Sequence, residues 1–289
     1  NQHLEKNSLC PLPARRLWAS ATFAVSLPTV SACFDGGFVP ERRPLNLAHR
    51  GARRVAPENT LPAFLRAMEL GADGVELDVQ LCADGQMVVL HDVTLDKTTS
   101  GRGPVAARTL AELRALDAGG WFDPAWAGTP IPTLVEVFDA LPAHAYVNIE
   151  LKSADVLSRG LERAAADFIA ARDLYGRVIV SSFDPLVLWR LRQINSRIPS
   201  GLLYALDMPV GLRYGQLARW LRADALHPHF TQLRPAWIAA AHARGCKVNT
   251  WTVNDPEMMR LLVAWEVDAI ITDVPDVLSA VLDELSEDR

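Results

Sequence analysis

The chain has 289 residues, of which 49% are hydrophobic, so it can bury a substantial core in one large domain or two small ones. A formal charge of -5 and the lack of any run of Lys or Arg argue against a nucleic-acid-binding surface. Four scattered cysteines are too few for a disulfide framework and form no C-x-x-C pair, so reduced thiols are expected in the folded part: Cys10, Cys33, Cys82 and Cys246.

The first 43 residues differ in composition from the rest. Arg15-Arg16 precede an uncharged run, 17–34, which contains Val30-Ser31-Ala32-Cys33, and this order is similar to a bacterial lipoprotein signal. Several Ser and Thr make the run too polar for a membrane span. We favour an N-terminal extension on a cytoplasmic protein. The alternative is export or lipid anchoring, and any membrane contact would then involve this segment alone.

From Leu45 onward, short β-rich runs alternate with helical patterns, which predicts parallel strands joined by helices. Eight strands are predicted, at 45–49, 74–79, 146–152, 177–182, 201–205, 225–229, 247–253 and 268–272. Helices are predicted between them, at 61–70, 154–172, 185–194, 216–221, 235–244, 256–265 and 275–285, the first capped by Asn59-Thr60. Eight such units match the size of a TIM-like (β/α)8 barrel, an α/β fold, over residues 44–289.

One segment breaks the alternation after the second strand. Two β-like runs, 75–81 and 87–92, flank Asp84-Gly85, which predicts a hairpin turn between antiparallel strands. A turn centred on Asp84-Gly85 sets Asp78 opposite His91, whereas a one-residue slip in register would point His91 elsewhere. A modest insertion follows the hairpin and precedes the third barrel strand.

Three carboxylates fall at the C-terminal ends of two strands that are neighbours in a barrel: Glu76, Asp78 and Glu150. Converging there, they would repel one another unless a cation neutralised them. Oxygen ligands without Cys favour a hard cation, Ca²⁺ or Mg²⁺, over Zn²⁺. The alternative is a set of surface salt bridges to Lys152 or to nearby arginines.

Two histidines, His49 and His91, lie just past strand ends beside these acidic residues. With an unperturbed pKa of about 6.5, such a pair can divide proton removal and proton donation at neutral pH. A lone histidine is more often structural, so the catalytic hypothesis rests on the pair. Asp92 is expected to orient His91 or to hold the hairpin.

Arg50 and Lys152 supply positive charge that can stabilise a phosphate group. The alternatives are a salt bridge from Arg50 to Glu58 and a solvated lysine at 152. Phe183 and Trp251 also follow strand ends. They either line a small substrate pocket or belong to the core at the top of the barrel.

The motifs, taken together, resemble those of the glycerophosphodiester phosphodiesterase family over residues 45 to about 275. The motifs are His49-Arg50-Gly51, Pro57-Glu58-Asn59-Thr60, Glu76-Leu77-Asp78-Val79, Asp84-Gly85, Val88-Val89-Leu90-His91-Asp92, Thr98-Thr99-Ser100-Gly101, Glu150-Leu151-Lys152, Trp251-Thr252-Val253-Asn254 and Ile271-Thr272-Asp273. The resemblance implies a TIM-like barrel that hydrolyses small-molecule glycerophosphodiesters to glycerol 3-phosphate and an alcohol, with Ca²⁺ or Mg²⁺.

Three functions stay open at this point. The leading one is hydrolysis of water-soluble glycerophosphodiesters, and the second is a lysophospholipase D-like activity whose insertion accepts an acyl chain. Trp121, Phe122 and Trp126 in that insertion either pack it onto the barrel or present an apolar edge to a lipid-like alcohol. The third is a catalytically silent barrel used for binding, which the complete set of acid-base, metal and phosphate positions argues against. The oligomeric state is left open.

Overall fold

Eight parallel strands close into a barrel in the computed structural model, which describes residues 43–152 and 160–287. The strands are β1 (Leu45–His49), β2 (Gly74–Leu81), β3 (Met87–Val89), β4 (Tyr146–Leu151), β5 (Val178–Ser182), β6 (Ser200–Tyr204), β7 (Ala225–Pro228), β8 (Lys247–Thr250) and β9 (Ala269–Thr272). The barrel is closed because β1 pairs with both β2 and β9, while β3 is antiparallel to β2 and stands outside the ring. The predicted TIM-like barrel is confirmed.

Helices fill the connections between the strands. They are α1 (Leu61–Glu69), α2 (Leu110–Arg114), α3 (Leu134–Ala140), α4 (Leu161–Ala171), α5 (Pro185–Ile194), α6 (Ala218–Leu221), α7 (Pro235–His242), α8 (Pro256–Ala264) and α9 (Pro275–Glu287). The sequence did not predict α2 and α3, which both lie in the insertion. Each begins with a Thr-x-x-Glu capping box, at Thr109 and at Thr133, so a local signal was present.

The alternation of side chains along each strand separates the core from the site. On β2, Val75, Leu77 and Val79 pack outward with residues of the surrounding helices, so Glu76 and Asp78 project into the barrel. The insertion between the hairpin and β4 has an apolar cluster of its own, which includes Val88, Leu90, Leu95, Val105, Leu113, Ala118 and Ile131. The hairpin is therefore packed on both sides.

The hairpin lies where the sequence predicts it, but the predicted register is wrong by one residue. Val79 pairs with Val89, and Leu90 N–H donates to the carbonyl of Asp78 at 3.0 Å, so Asp78 faces Leu90 rather than His91. The cause is the turn, because Cys82 N–H donates to the Gln86 carbonyl and leaves three residues in the loop instead of an even number.

Several predictions fall on residues outside the described ranges. These are the N-terminal segment through residue 42, with Arg15, Arg16 and Cys33, and the first part of the predicted 154–172 helix. Within the described ranges, Cys82 and Cys246 are both free thiols, as predicted. No helix of those ranges combines the length and the apolar character that crossing a membrane requires.

Candidate functional site

A cavity of about 140 Å³ opens at the end of the barrel to which the strand C-termini point. It is lined by His49, Arg50, Glu76, His91, Asn148, Glu150, Lys152, Phe183, Leu203, Trp251 and Ile271. Eight of the nine site residues predicted from the sequence are in this lining. The ninth, Asp78, is buried directly against two of them, with its carboxylate 2.9 Å from Lys152 Nζ and 3.4 Å from Arg50 Nε.

The three predicted carboxylates converge because β2 and β4 are neighbours in register. Asp78 pairs with Glu150 across the two strands, and Glu76 lies one inward position earlier on β2. One oxygen from each of the three carboxylates lies within 4.8 Å of the others, and all three side chains are buried. This arrangement differs from surface salt bridges, because the carboxylates share one enclosed point.

Arg50 and Lys152 both place positive charge next to Asp78. Burial alone would penalise the ionised form of Asp78, but Lys152 and Arg50 hold the pKa of this carboxyl well below its usual range. Lys152 Nζ also lies 2.5 Å from Glu150 Oε1. Burial disfavours the lysine ammonium, yet Asp78 and Glu150 raise its pKa above the usual value.

The other two carboxylates have raised pKa values, chiefly because they are buried. Burial and the charges of Asp78 and Glu150 raise the pKa of Glu76 well above its ordinary value. Burial likewise raises the pKa of Glu150 to about 7, although Lys152 opposes the shift. Three enclosed carboxylates form an all-oxygen donor set that fits a hard divalent cation.

The turn that follows β1 directs Arg50 into the site. Arg50 and Gly51 both adopt left-handed backbone conformations, with φ of 57° and 81°. A Cβ at Gly51 would lie 2.7 Å from the backbone of Ala63, so only glycine fits there. Glu58 Oε1 accepts from Arg50 Nη1 at 2.8 Å and fixes the guanidinium. A left-handed arginine costs on the order of 1–3 kcal/mol, and such strain is typical of functional sites.

Both predicted histidines are oriented by carboxylates. His49 Nδ1 lies 2.7 Å from Asp273 Oδ1, and His91 Nδ1 lies 2.6 Å from Asp92 Oδ1. Because an ionised carboxylate only accepts, each Nδ1 carries a proton and donates, which leaves Nε2 for a substrate. Burial lowers the pKa of both rings, so each neutral Nε2 is a base at neutral pH.

Sequence reasoning anticipated Asp92 as the partner of His91, but it missed Asp273 as the partner of His49 and Asn59 as a partner of Asp78. Asp273 follows the last strand. Burial alone would raise its pKa, but the hydrogen bond and charge of His49, together with Asn254 and Arg53, lower it to about 2. Of the predicted Asn59-Thr60 cap of α1, Thr60 is confirmed as the cap, whereas Asn59 Nδ2 donates to Asp78 at 2.8 Å. The sequence signal that could have identified Asp273 as the partner of His49 is its position directly after the last strand, which neighbours β1 when the barrel closes.

Two aromatic residues also line the cavity, Phe183 and Trp251. Phe183 and Trp251 contact edge to face with 5.4 Å between ring centroids, and the Trp251 indole N–H donates to the His227 carbonyl at 2.8 Å. Trp121 in the insertion donates its indole N–H to the Ala118 carbonyl and contacts Phe122 edge to face. Trp121 is also exposed, so it combines these contacts within the insertion with an exposed apolar edge.

A barrel that gathers two oriented histidines, three carboxylates and two cations around one small cavity has the composition of a hydrolase site for a phosphate ester. Residues 49–277 match the model of the glycerophosphoryl diester phosphodiesterase family. The chain therefore belongs to this family, and the comparison confirms both the predicted resemblance and the predicted enzyme class, a phosphodiesterase.

Individual relatives agree with this assignment. The chain is 42% identical over 235 residues to a glycerophosphodiester phosphodiesterase of Caldanaerobacter subterraneus subsp. tengcongensis, a match that covers 81% of this chain and 96% of that protein. Among solved structures, a phosphodiesterase from Oleispira antarctica in complex with the product sn-glycerol-3-phosphate has a TM-score of 0.71 and 30% identity, covering 82% of this chain and 96% of that one. A glycerophosphodiester phosphodiesterase from Agrobacterium tumefaciens has a TM-score of 0.71 and 32% identity, covering 81% and 98%.

Replacing Glu150 by Gln should weaken binding of Ca²⁺ or Mg²⁺ while leaving the fold intact, because the substitution removes charge with almost no change in volume. Calorimetric titration of the metal-free protein measures the affinity, and thermal unfolding measures stability. Glu69→Gln, at an exposed residue of α1 that pairs with Arg66, is the matched control. Equal metal affinity in Glu150→Gln and the wild type would exclude the carboxylate cluster as the binding site.

Proposed function

We propose that the protein hydrolyses glycerophosphodiesters to glycerol 3-phosphate and an alcohol. The observation that carries the proposal is the pair of carboxylate-oriented histidines facing the carboxylate cluster across one cavity. A general acid and a general base are the two groups that cleavage of a phosphodiester requires. The Oleispira relative bound to sn-glycerol-3-phosphate supports the same product here.

Glu76, Asp78 and Glu150 would hold the divalent cation, Ca²⁺ or Mg²⁺. When bound, it would draw charge from the phosphate oxygens and offset the negative charge that grows in the transition state. Arg50 and Lys152 share that task as fixed cations, since both line the cavity next to Asp78. Glu58 and Asn59 keep Arg50 and Asp78 in place.

The cavity favours a small polar diester over a lysophospholipid. Its volume of about 140 Å³ is well below the roughly 300–1,000 Å³ of pockets that enclose drug-sized ligands. Phe183 and Trp251, which line the cavity together with the charged groups, offer an apolar surface to the carbon face of glycerol. An acyl chain would have to lie outside this volume.

His49 and His91 carry the proton transfers. With Nδ1 bound to a carboxylate, each ring has Nε2 free for the substrate. One ring accepts the proton of the group that attacks phosphorus, and the other donates a proton to the departing alcohol oxygen. An anionic substrate beside the two rings favours the protonated form of one of them, and that protonated ring is the general acid.

The purified protein should release choline from glycerophosphocholine when Ca²⁺ or Mg²⁺ is present, and chelator should abolish the release. Lysophosphatidylcholine, assayed side by side, should be hydrolysed more slowly because its acyl chain does not fit the cavity. Full activity in chelator would contradict the metal site. Faster turnover of lysophosphatidylcholine would establish the lysophospholipase D-like alternative, and inactivity on both substrates would favour a silent barrel.

His49→Ala and His91→Ala should each lower turnover of glycerophosphocholine by roughly 10²-fold or more, the usual scale for a positioned proton-transfer group. The double variant should lose less than the product of the two single losses, since both rings serve one reaction. His144→Ala, outside the cavity lining, is the control and should keep wild-type turnover. A near-wild-type rate in either single variant would refute its assignment.

The glycerol hydroxyl next to the phosphorylated carbon is the proposed nucleophile, because an internal group loses little further freedom on approach. One histidine takes its proton as the oxygen bonds to phosphorus, and the bond to the alcohol oxygen breaks as the other histidine protonates that oxygen. Water then opens the five-membered cyclic phosphate with the two roles exchanged. A diester that lacks this hydroxyl should bind as a competitive inhibitor but turn over slower by roughly 10²-fold or more. Equal turnover would show that water attacks phosphorus directly.

A further inference from the structure

The side chain of Gln80 holds the backbone on both sides of His91. Gln80 is buried on β2, two residues beyond Asp78, so it shares the inward face of that strand with Glu76 and Asp78. Its amide nitrogen donates one hydrogen bond to the carbonyl of Leu90 and one to the carbonyl of Asp92, both at 2.8 Å. Both N–H bonds of a single amide are therefore used on the two residues that flank His91.

This contact begins where the strand pairing ends. The last backbone hydrogen bond of the hairpin on this side runs from Leu90 N–H to the Asp78 carbonyl, and β3 has ended at Val89. Beyond that point, the chain that carries His91 is tied to β2 through the Gln80 amide. The hydrogen bond from His91 Nδ1 to Asp92 sets the ring relative to its own neighbour, but it does not set the position of this segment relative to the barrel.

We propose that Gln80 is a positioning residue for His91. The inference rests on the proposed function, in which His91 transfers a proton. Because Glu76, Asp78 and Gln80 follow one another on one face of one strand, the strand that supplies two carboxylates also fixes the distance from them to the histidine. Proton transfer depends steeply on such distances, and a misplacement of about 1 Å can lower a rate by roughly 10²-fold.

Gln80→Met tests the proposal, because methionine has a similar length but no N–H donor. The expected result is a kcat for glycerophosphocholine lowered by roughly 10-fold or more, with KM and the affinity for Mg²⁺ within about twofold of the wild type. Gln86→Met is the matched control, since Gln86 lies exposed beside the turn of the same hairpin, and it should leave kcat unchanged. Gln80→Asn carries the same expectation if the methionine variant does not fold, because its amide is one methylene too short to reach both carbonyls.

The His91→Ala background separates positioning from a purely structural role. If Gln80 acts through His91, then Gln80→Met combined with His91→Ala should be no slower than His91→Ala alone. Gln80→Lys should keep most of the kcat that Gln80→Met loses, since an ammonium has three N–H donors and can donate to both carbonyls.

Two results would overturn the inference: wild-type kcat in Gln80→Met, or the same fractional loss with and without His91. Loss of activity in His91→Ala tests the proposed function independently, so the two ideas can fail separately.

Discussion

The structure depends above all on the balance of charge at the mouth of the barrel. Three buried carboxylates with oxygens within 4.8 Å of one another would each repel the next by on the order of 3 kcal/mol at an effective dielectric constant of about 20. Three such pairs approach the whole free energy of unfolding of a typical domain, about 5–15 kcal/mol. Positive charge at this point is therefore a condition for folding this barrel with its carboxylates ionised, as well as a requirement of the chemistry.

The cations that meet this requirement organise the residues around them. Arg50 pairs with Glu58, which also accepts from Arg53 at 2.6 Å, and Arg53 lies 3.4 Å from Asp273, the partner of His49. Positive and negative side chains alternate in this series of ion pairs, which runs from the proposed phosphate site to the proposed proton-transfer group. Direct ion pairs therefore link the proposed phosphate-binding group Arg50 to the carboxylate that orients His49.

The sequence alone was sufficient to predict those parts of the structure that follow from local periodicity and from strand order. The eight barrel strands were visible as β-rich runs, and the meeting of Glu76, Asp78 and Glu150 followed from placing their strands side by side. The register of the hairpin was not accessible, because it depends on whether the loop holds two, three or four residues, and Asp84-Gly85 occurs in each.

Two positioning contacts were also beyond the sequence, for different reasons. Asp273 meets His49 only because β9 pairs with β1, a contact across 224 residues that no local pattern records. Gln80 alternates in step with Glu76 and Asp78, so its inward direction was predictable. Its partners were not, because they are backbone carbonyls whose position depends on the same hairpin register. Both contacts were missed because they depend on how strands pair in the folded protein, and not because the sequence motifs are weak.

The two histidines, similar in their bonding, are assembled in opposite ways. The register that places Ala48 beside Thr272 also brings His49 to Asp273, so this pair forms only when the first and last strands meet and the barrel closes. His91 has its carboxylate next to it in the chain and reaches the site on a hairpin joined to β2. Long-range strand pairing is the slow part of folding such a topology. The His49–Asp273 contact therefore requires the closed barrel, whereas the contact between His91 and Asp92 needs only two neighbouring residues.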